Sequence, residues 1–102
     1  PMKPSEHHFL TDETVQKASL ILKALADPTR IKILYLLSQE SCPVGHMAEV
    51  LGMSQSAVSH QLAKLRNVGL VGYRREGQTL YYSCKDEHVI DMLHQLIEHA
   101  KH

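Results

Sequence analysis

Long apolar runs are missing from this chain, and no signal-peptide pattern opens it. A membrane span needs roughly 20 consecutive apolar residues, so the expectation is a cytoplasmic protein with no membrane partner. Cysteine is scarce. Cys42 and Cys84 are too few for a disulfide framework and fit a reducing compartment. Internal repeats, low-complexity tracts and a linker long enough to divide domains are also lacking, so residues 1–102 read as a single domain. A chain this short buries only about two thirds of its unfolded surface, which favours a helical fold stiffened by a partner subunit. Net charge is absent as well, since eleven basic residues balance eleven acidic ones. That balance alone argues against nucleic acid. Its distribution argues the other way, because Val50–Arg75 contains no Asp or Glu yet carries Lys64, Arg66, Arg74 and Arg75. The last helix reverses the sign, with Asp86, Glu87, Asp91 and Glu98 against Lys101. A basic middle beside an acidic, histidine-rich end points to two surfaces with different partners.

Residues 1–10 read as loosely ordered. Thr11 suits a helix cap, followed by Val15, Ala18, Leu22 and Leu25 at helical spacing. A second helix starts at "DPTRIKILYLLSQ", with Asp27 as N-cap and Pro28 at the first helical position, where a missing N–H costs nothing. Residues 43–68 read as helix, turn and helix. Gly52 ends the first helix, Ser54 caps the second, and Val58, Leu62 and Leu65 form the inner stripe. After Gly69 the apolar period falls from about 3.6 to 2, and residues 70–84 make a two-stranded wing around Gly77. Asp86 caps a closing helix over 86–102. The expected fold is mainly α with a small β-hairpin. It is a winged helix–turn–helix with extra N- and C-terminal helices forming a homodimer interface.

On a helical wheel the face of Ser54–Asn67 opposite the inner stripe carries Ser56, His60, Ala63 and Asn67, with Ser59 and Lys64 beside them. A major groove roughly 12 Å wide admits such a small, polar helix face. Ser, Gln and His hydrogen-bond base edges or phosphates, and Lys64 neutralises a phosphate. Arg74, Arg75 and Gln78 on the wing would reach an adjacent backbone. The same pattern also fits a solvated surface helix beside an ordinary hairpin, and His60 fits an internal hydrogen bond as well as a DNA contact. The capped helix–turn–helix followed by a wing favours DNA.

Four of the eight histidines lie between His88 and His102. His88 and His99 share a helix face, about 20° from alignment, but stand roughly 16–17 Å apart along the axis. A metal holds each nitrogen at about 2.0–2.1 Å, so one helix cannot bring both to one ion. An antiparallel second copy can. Asp86 and His88 of one chain then face His99 and His102 of the other, and twofold symmetry makes two such sites. His94 lies about 120° or more from that face and is excluded. Val89, Met92, Leu93, Leu96, Ile97 and Ala100 form the apolar arc that would pair the helices. The alternative is that Asp86 is only a cap, and that His99 and His102 only complement a helix C-terminus.

The stretches "LKALADPTRIKILYLL", "VGHMAEVLGMSQSAVSHQLAKLRNVGLV", "REGQTLYYS" and "DEH…IEHAKH" resemble the ArsR/SmtB family of metal-responsive repressors, from about Glu13 to the end. The tail spacing is similar to that of its zinc sensors of the CzrA type. The resemblance implies a homodimer that binds operator DNA when metal-free and releases it on zinc binding. It implies Asp86 and His88 with His99 and His102 of the other chain as ligands. Gln55, Ser56, Ser59 and His60 match the recognition helix, and Arg75 and Gln78 match the wing. One departure stands at "SCPVGHM". Other members place a Cys-x-Cys, or a Cys with Asp three residues on, at that short helix. Here Cys42 is displaced by one and Pro43 occupies a thiolate position, which argues against a thiolate-rich arsenic, cadmium or lead site. His7, His8, Cys42 and His46 form a lesser candidate for a second metal site.

Three imidazoles and a carboxylate suit Zn2+, and Co2+ fits similarly. Four protein ligands leave no open position for water, so the expectation is no enzyme and no small organic substrate. The ligands must be neutral imidazoles, so affinity falls as pH drops through about 6.5, where free imidazole titrates. The rival reading is a redox-responsive repressor using Cys42 and Cys84, which needs neighbouring thiols of low pKa.

Overall fold

The computed structural model of the chain describes residues 8–102. Its elements are α1 (Asp12–Leu25), α2 (Pro28–Gln39), α3 (Val44–Leu51), α4 (Gln55–Asn67), β1 (Val71–Glu76), β2 (Thr79–Cys84) and α5 (Glu87–Ala100). Four of the five helices start at a side-chain cap, α3 being the exception. The side chains of Thr11, Asp27, Ser54 and Asp86 accept from the backbone N–H groups of Thr14, Arg30, Ala57 and Val89. Each satisfies one of the four donors a helix leaves unpaired at its N-terminus. Gly52 ends α3 in the left-handed region, at φ 65°. Its N–H and that of Met53 return to carbonyls of α3, which turns the chain into α4 within three residues.

The architecture is the expected winged helix–turn–helix with an added helix at each end. The centre of the core lies between α2, α3 and α4, where Ile33, Leu34, Met47, Val58, Leu62 and Leu65 are almost wholly buried. At roughly 1.5–3 kcal/mol for each large side chain, this cluster dominates the stability of the protomer. Leu70, Val71 and Tyr82 extend the core under the wing. The strands pair antiparallel with Tyr73 opposite Tyr82 and Glu76 opposite Thr79. A bridge between Cys42 and Tyr82, bonded in both directions at 3.0 Å, fastens β2 to the loop that enters α3. This pairing ties the wing to the start of the helix–turn–helix.

The terminal helices are different. Of α1 only Ala24 and Leu25 are buried, and of α5 only Val89 and Leu93. Leu22 is 57% exposed, Met92 44% and Leu96 54%. The molecule measures 58 × 34 × 19 Å with a radius of gyration of 16.7 Å, against about 13 Å for a compact domain of 100 residues. Two amphipathic helices reach away from a small core and bury only part of their apolar faces on it. Among the described residues, no helix is long and apolar enough to cross a membrane.

Candidate nucleic-acid interface and metal centre

Helix α4 is fixed by the packing of Val58, Leu62 and Leu65, so its opposite face is directed outward by helical geometry. Ser56, Ser59, His60 and Lys64 are exposed there, while Gln55 is exposed at the first position of the helix, beside the inner stripe rather than opposite it. None carries a bulky apolar group, and no acidic side chain lies on the helix. Ser56 Oγ sits 3.3 Å from Ser54 Oγ, so the capping hydroxyl orders the first turn of this face.

Arg75 and Gln78 are exposed on the wing, around a turn in which Gly77 has a φ of 63°. Arg74 is engaged elsewhere. It donates from Nε to Glu76 Oε1 at 3.1 Å and from Nη1 to Ser41 Oγ at 3.1 Å, and lies 5.0 Å from the centre of the Tyr81 ring. Its charge is partly offset by this exposed ion pair and its fork engages neighbouring side chains at the surface, leaving Arg75 as the freer cation of the pair. Arg66, marked in the sequence only by its place in the acid-free stretch, lies over the Tyr73 ring at 4.7 Å and joins the end of α4 to β1.

On α5, Asp86 Oδ1 accepts from Val89 N–H at 3.1 Å and lies 4.0 Å from His88 Nδ1. The capping bond uses one carboxylate oxygen and leaves the other free. The His88 side chain is fully exposed. His99 and His102 are exposed at the other end, with His102 N–H bonded to His99 O at 3.2 Å. Beside them Lys101 donates to Glu98 at 3.1 Å, and this hydrogen bond, then the charge of the Glu98 carboxylate, push the lysine's titration up. Among the described residues no three His, Cys, Asp or Glu side chains within the single chain are grouped to hold a metal. The candidate donors therefore lie as two groups at opposite ends of one helix.

His94 has its own task. Ser38 Oγ donates to Tyr35 O at 2.6 Å, so the contact between Ser38 Oγ and His94 Nε2 at 3.0 Å requires the ring to donate. The imidazole also meets the Tyr35 ring edge-on at 5.9 Å. It ties α5 to α2, on the side away from the candidate ligands. Spacing excluded it as a ligand but gave no sign of this role.

The remaining candidates are scattered. His7 lies outside the described residues. His8 is exposed ahead of α1. His46 Nε2 is 2.8 Å from Glu40 Oε1, while Cys42 is buried and bridged to the wing. Burial pushes the Cys42 thiol up, with a smaller contribution from the Glu40 charge. Burial pushes Cys84 up to about 11, and its Sγ faces Leu34 O at 3.7 Å. Both shifts oppose thiolate formation, the reverse of what a reactive dithiol needs.

Comparison with known proteins agrees with the winged helix–turn–helix fold. The family description "Bacterial regulatory protein, arsR family" matches residues 27–73, from the start of α2 into the wing. The chain is 44% identical over 93 residues to the HTH-type transcriptional regulator NmtR of Mycobacterium tuberculosis, covering 91% of this chain and 78% of that one. It is 38% identical over 89 residues to a transcriptional repressor SmtB homolog of Synechocystis, covering 87% and 67%. The solution structure of a homodimeric winged helix–turn–helix DNA-binding domain from Mycobacterium bovis superposes with a TM-score of 0.82. The match spans 93% of this chain and 91% of that one at 31% identity.

Proposed function

This chain belongs to the ArsR/SmtB family of metal-responsive transcriptional repressors, which are not enzymes, and on that premise we propose that it is a zinc-responsive repressor. The metal-free homodimer binds operator DNA, and zinc binding at intersubunit sites releases it. The observation that carries this reading is the arrangement of α5. A half-set of donors stands at each end of a helix whose apolar face includes the exposed Met92 and Leu96.

An antiparallel second copy would cover that face. The groove between α1 and α5, about 440 Å³ and lined by Leu22, Leu25, Met92, Leu93 and Leu96, is the natural seat for it. The Mycobacterium bovis structure, a homodimer of the same architecture, supports a paired state. Asp86 and His88 of one protomer then lie against His99 and His102 of its partner, twice by symmetry. The donor set fits Zn2+, with Co2+ an alternative of similar geometry. These four side chains would hold the ion, which would supply a bridge between the two helices. The free oxygen of Asp86 serves as ligand while its neighbour keeps the cap, and His88 needs no partner displaced before it can ligate.

The recognition face of Gln55, Ser56, Ser59, His60 and Lys64 enters the major groove, and Arg75 and Gln78 contact the neighbouring backbone, with Arg74 shaping the wing. Closing the α5 pair changes the relative setting of the two recognition helices, which must match successive grooves to bind. Zinc and DNA then oppose each other by the same free energy, typically 1–3 kcal/mol. In the cell this is a cytoplasmic task.

The test is fluorescence anisotropy of a labelled duplex selected by the metal-free protein, titrated with zinc. The native protein should release the duplex. His88→Ala should bind it equally well without metal and hold it as zinc rises. A native complex indifferent to zinc would sink the metal reading, and a His88→Ala protein that still responds would sink the ligand assignment.

A further inference from the structure

Among the described residues, three hydrogen bonds join side chains that are distant in sequence: Arg30 with Gln61, Ser38 with His94, and Arg74 with Ser41. The first connects the dimer-facing part of the fold to the recognition helix. We propose that Arg30 is a positioning residue for α4: through Gln61 it fixes the recognition helix against the C-terminal end of α1.

One guanidinium makes all the contacts. Nε donates to Ala24 O at 2.7 Å and Nη2 to Lys23 O at 3.3 Å, while Nη1 donates to Gln61 Oε1 at 3.1 Å. The two carbonyls belong to the last turn of α1, where a helix leaves its acceptors unpaired and carries negative partial charge. A cation is favoured there, and only a planar fork serves two carbonyls and a third acceptor together. The backbone of Arg30 is itself pinned, its N–H donating to the Asp27 cap at 3.0 Å. The link is partly buried, so solvent competes for it weakly.

Gln61 is half-buried, between exposed His60 and buried Leu62. It therefore lies on the flank of α4, where a sideways pull turns the helix about its own core stripe. Turning α4 there would move His60 and Lys64 relative to a groove. The opposite end of the link is α1, whose Leu22 lines the groove that a second copy would fill. Subunit geometry thus has a short, continuous route from α1 through Arg30 and Gln61 to the DNA face. This inference rests on the operator-binding reading above and adds to it the side chain that sets the helix.

The experiment is a double-mutant cycle of Arg30→Lys and Gln61→Leu. Operator affinity is measured by anisotropy on a duplex selected by the native metal-free protein, with thermal midpoint and zinc affinity measured alongside. Gln61→Leu should weaken operator binding by roughly tenfold with little change in midpoint or zinc affinity. Arg30→Lys should weaken binding to a similar extent, and the double variant should bind no worse than the weaker single. A Gln61→Leu protein with native operator affinity overturns the inference. So do losses that multiply in the double variant, because they would mean that Gln61 touches DNA on its own account. If the native protein selects no duplex, the operator-binding reading fails instead. The link is then read from amide hydrogen exchange along α4, which both variants should accelerate alike, and unchanged exchange refutes it.

Discussion

Asp86 holds two roles that substitution can separate. Its Oδ1 caps α5 through Val89 N–H at 3.1 Å, and its carboxylate is one of four proposed zinc ligands. Asn caps a helix about as well as Asp, whereas Ala does not cap at all. Asp86→Ala should therefore cost about 1 kcal/mol in the metal-free protein, lowering the thermal midpoint by about 4–8 °C for a domain of this size. Asp86→Asn should lose only the charge at the helix N-terminus, roughly 0.3–1 kcal/mol. Zinc binding should sort the same variants differently. Residues that merely orient a ligand are worth about 10–100-fold in metal affinity, so a carboxylate that ligates directly should be worth at least that. Both variants should then lose on the order of 100-fold or more, although only one of them loses the cap. Melting is followed by circular dichroism with chelator present and at one fixed protein concentration, because dimerisation makes the midpoint depend on concentration. Zinc affinity is measured by competition with a chelating dye. An Asp86→Asn protein that binds zinc as the native one does would refute the ligand role and leave the carboxylate as a cap alone.

Leu96→Glu should give a monomer by sedimentation velocity where the native chain is a dimer, since pairing would bury an unpartnered charge on α5; a dimer of unchanged strength would move the interface elsewhere. Cys84, raised from 9.0 to about 11 by burial, should alkylate at a rate that keeps climbing with pH up to about 11, whereas a free thiol levels off near 9. The unfolded chain loses that proton first, so stability should fall as pH rises between these values; a reaction rate that plateaus near pH 9 contradicts both. Gly52→Ala should destabilise by about 1–2 kcal/mol in chemical denaturation. The cost is purely conformational, because a Cβ there meets nothing within 4 Å at φ 65°.

Local chemistry was the legible part. The caps Thr11, Asp27, Ser54 and Asp86, the stop at Gly52 and the stripe of Val58, Leu62 and Leu65 follow from rules that operate within a few residues. So does the outward direction of Ser56, Ser59 and His60, which is fixed once the inner stripe is known. The engagement of Arg74 was not legible. Its partner Ser41 lies 33 residues away, and the Cys42–Tyr82 bridge helps hold that loop beside the wing. His94 with Ser38, and Arg30 with Gln61, are of the same kind. In each pair neither residue type is unusual at its own position, so no spacing marks it.

The sequence by itself determined where helices begin and end, which face of α4 is polar, and that the histidine half-sets of α5 stand too far apart to share an ion. All three follow from helical rise and period, which need no knowledge of the rest of the molecule. Tertiary structure alone decided that Arg74 and Arg30 are spent on internal links, that both thiols are shielded, and that α1 and α5 keep apolar faces uncovered by their own core. Those outcomes depend on which distant segments pack together, and pairing across tens of residues leaves no periodic trace in the chain.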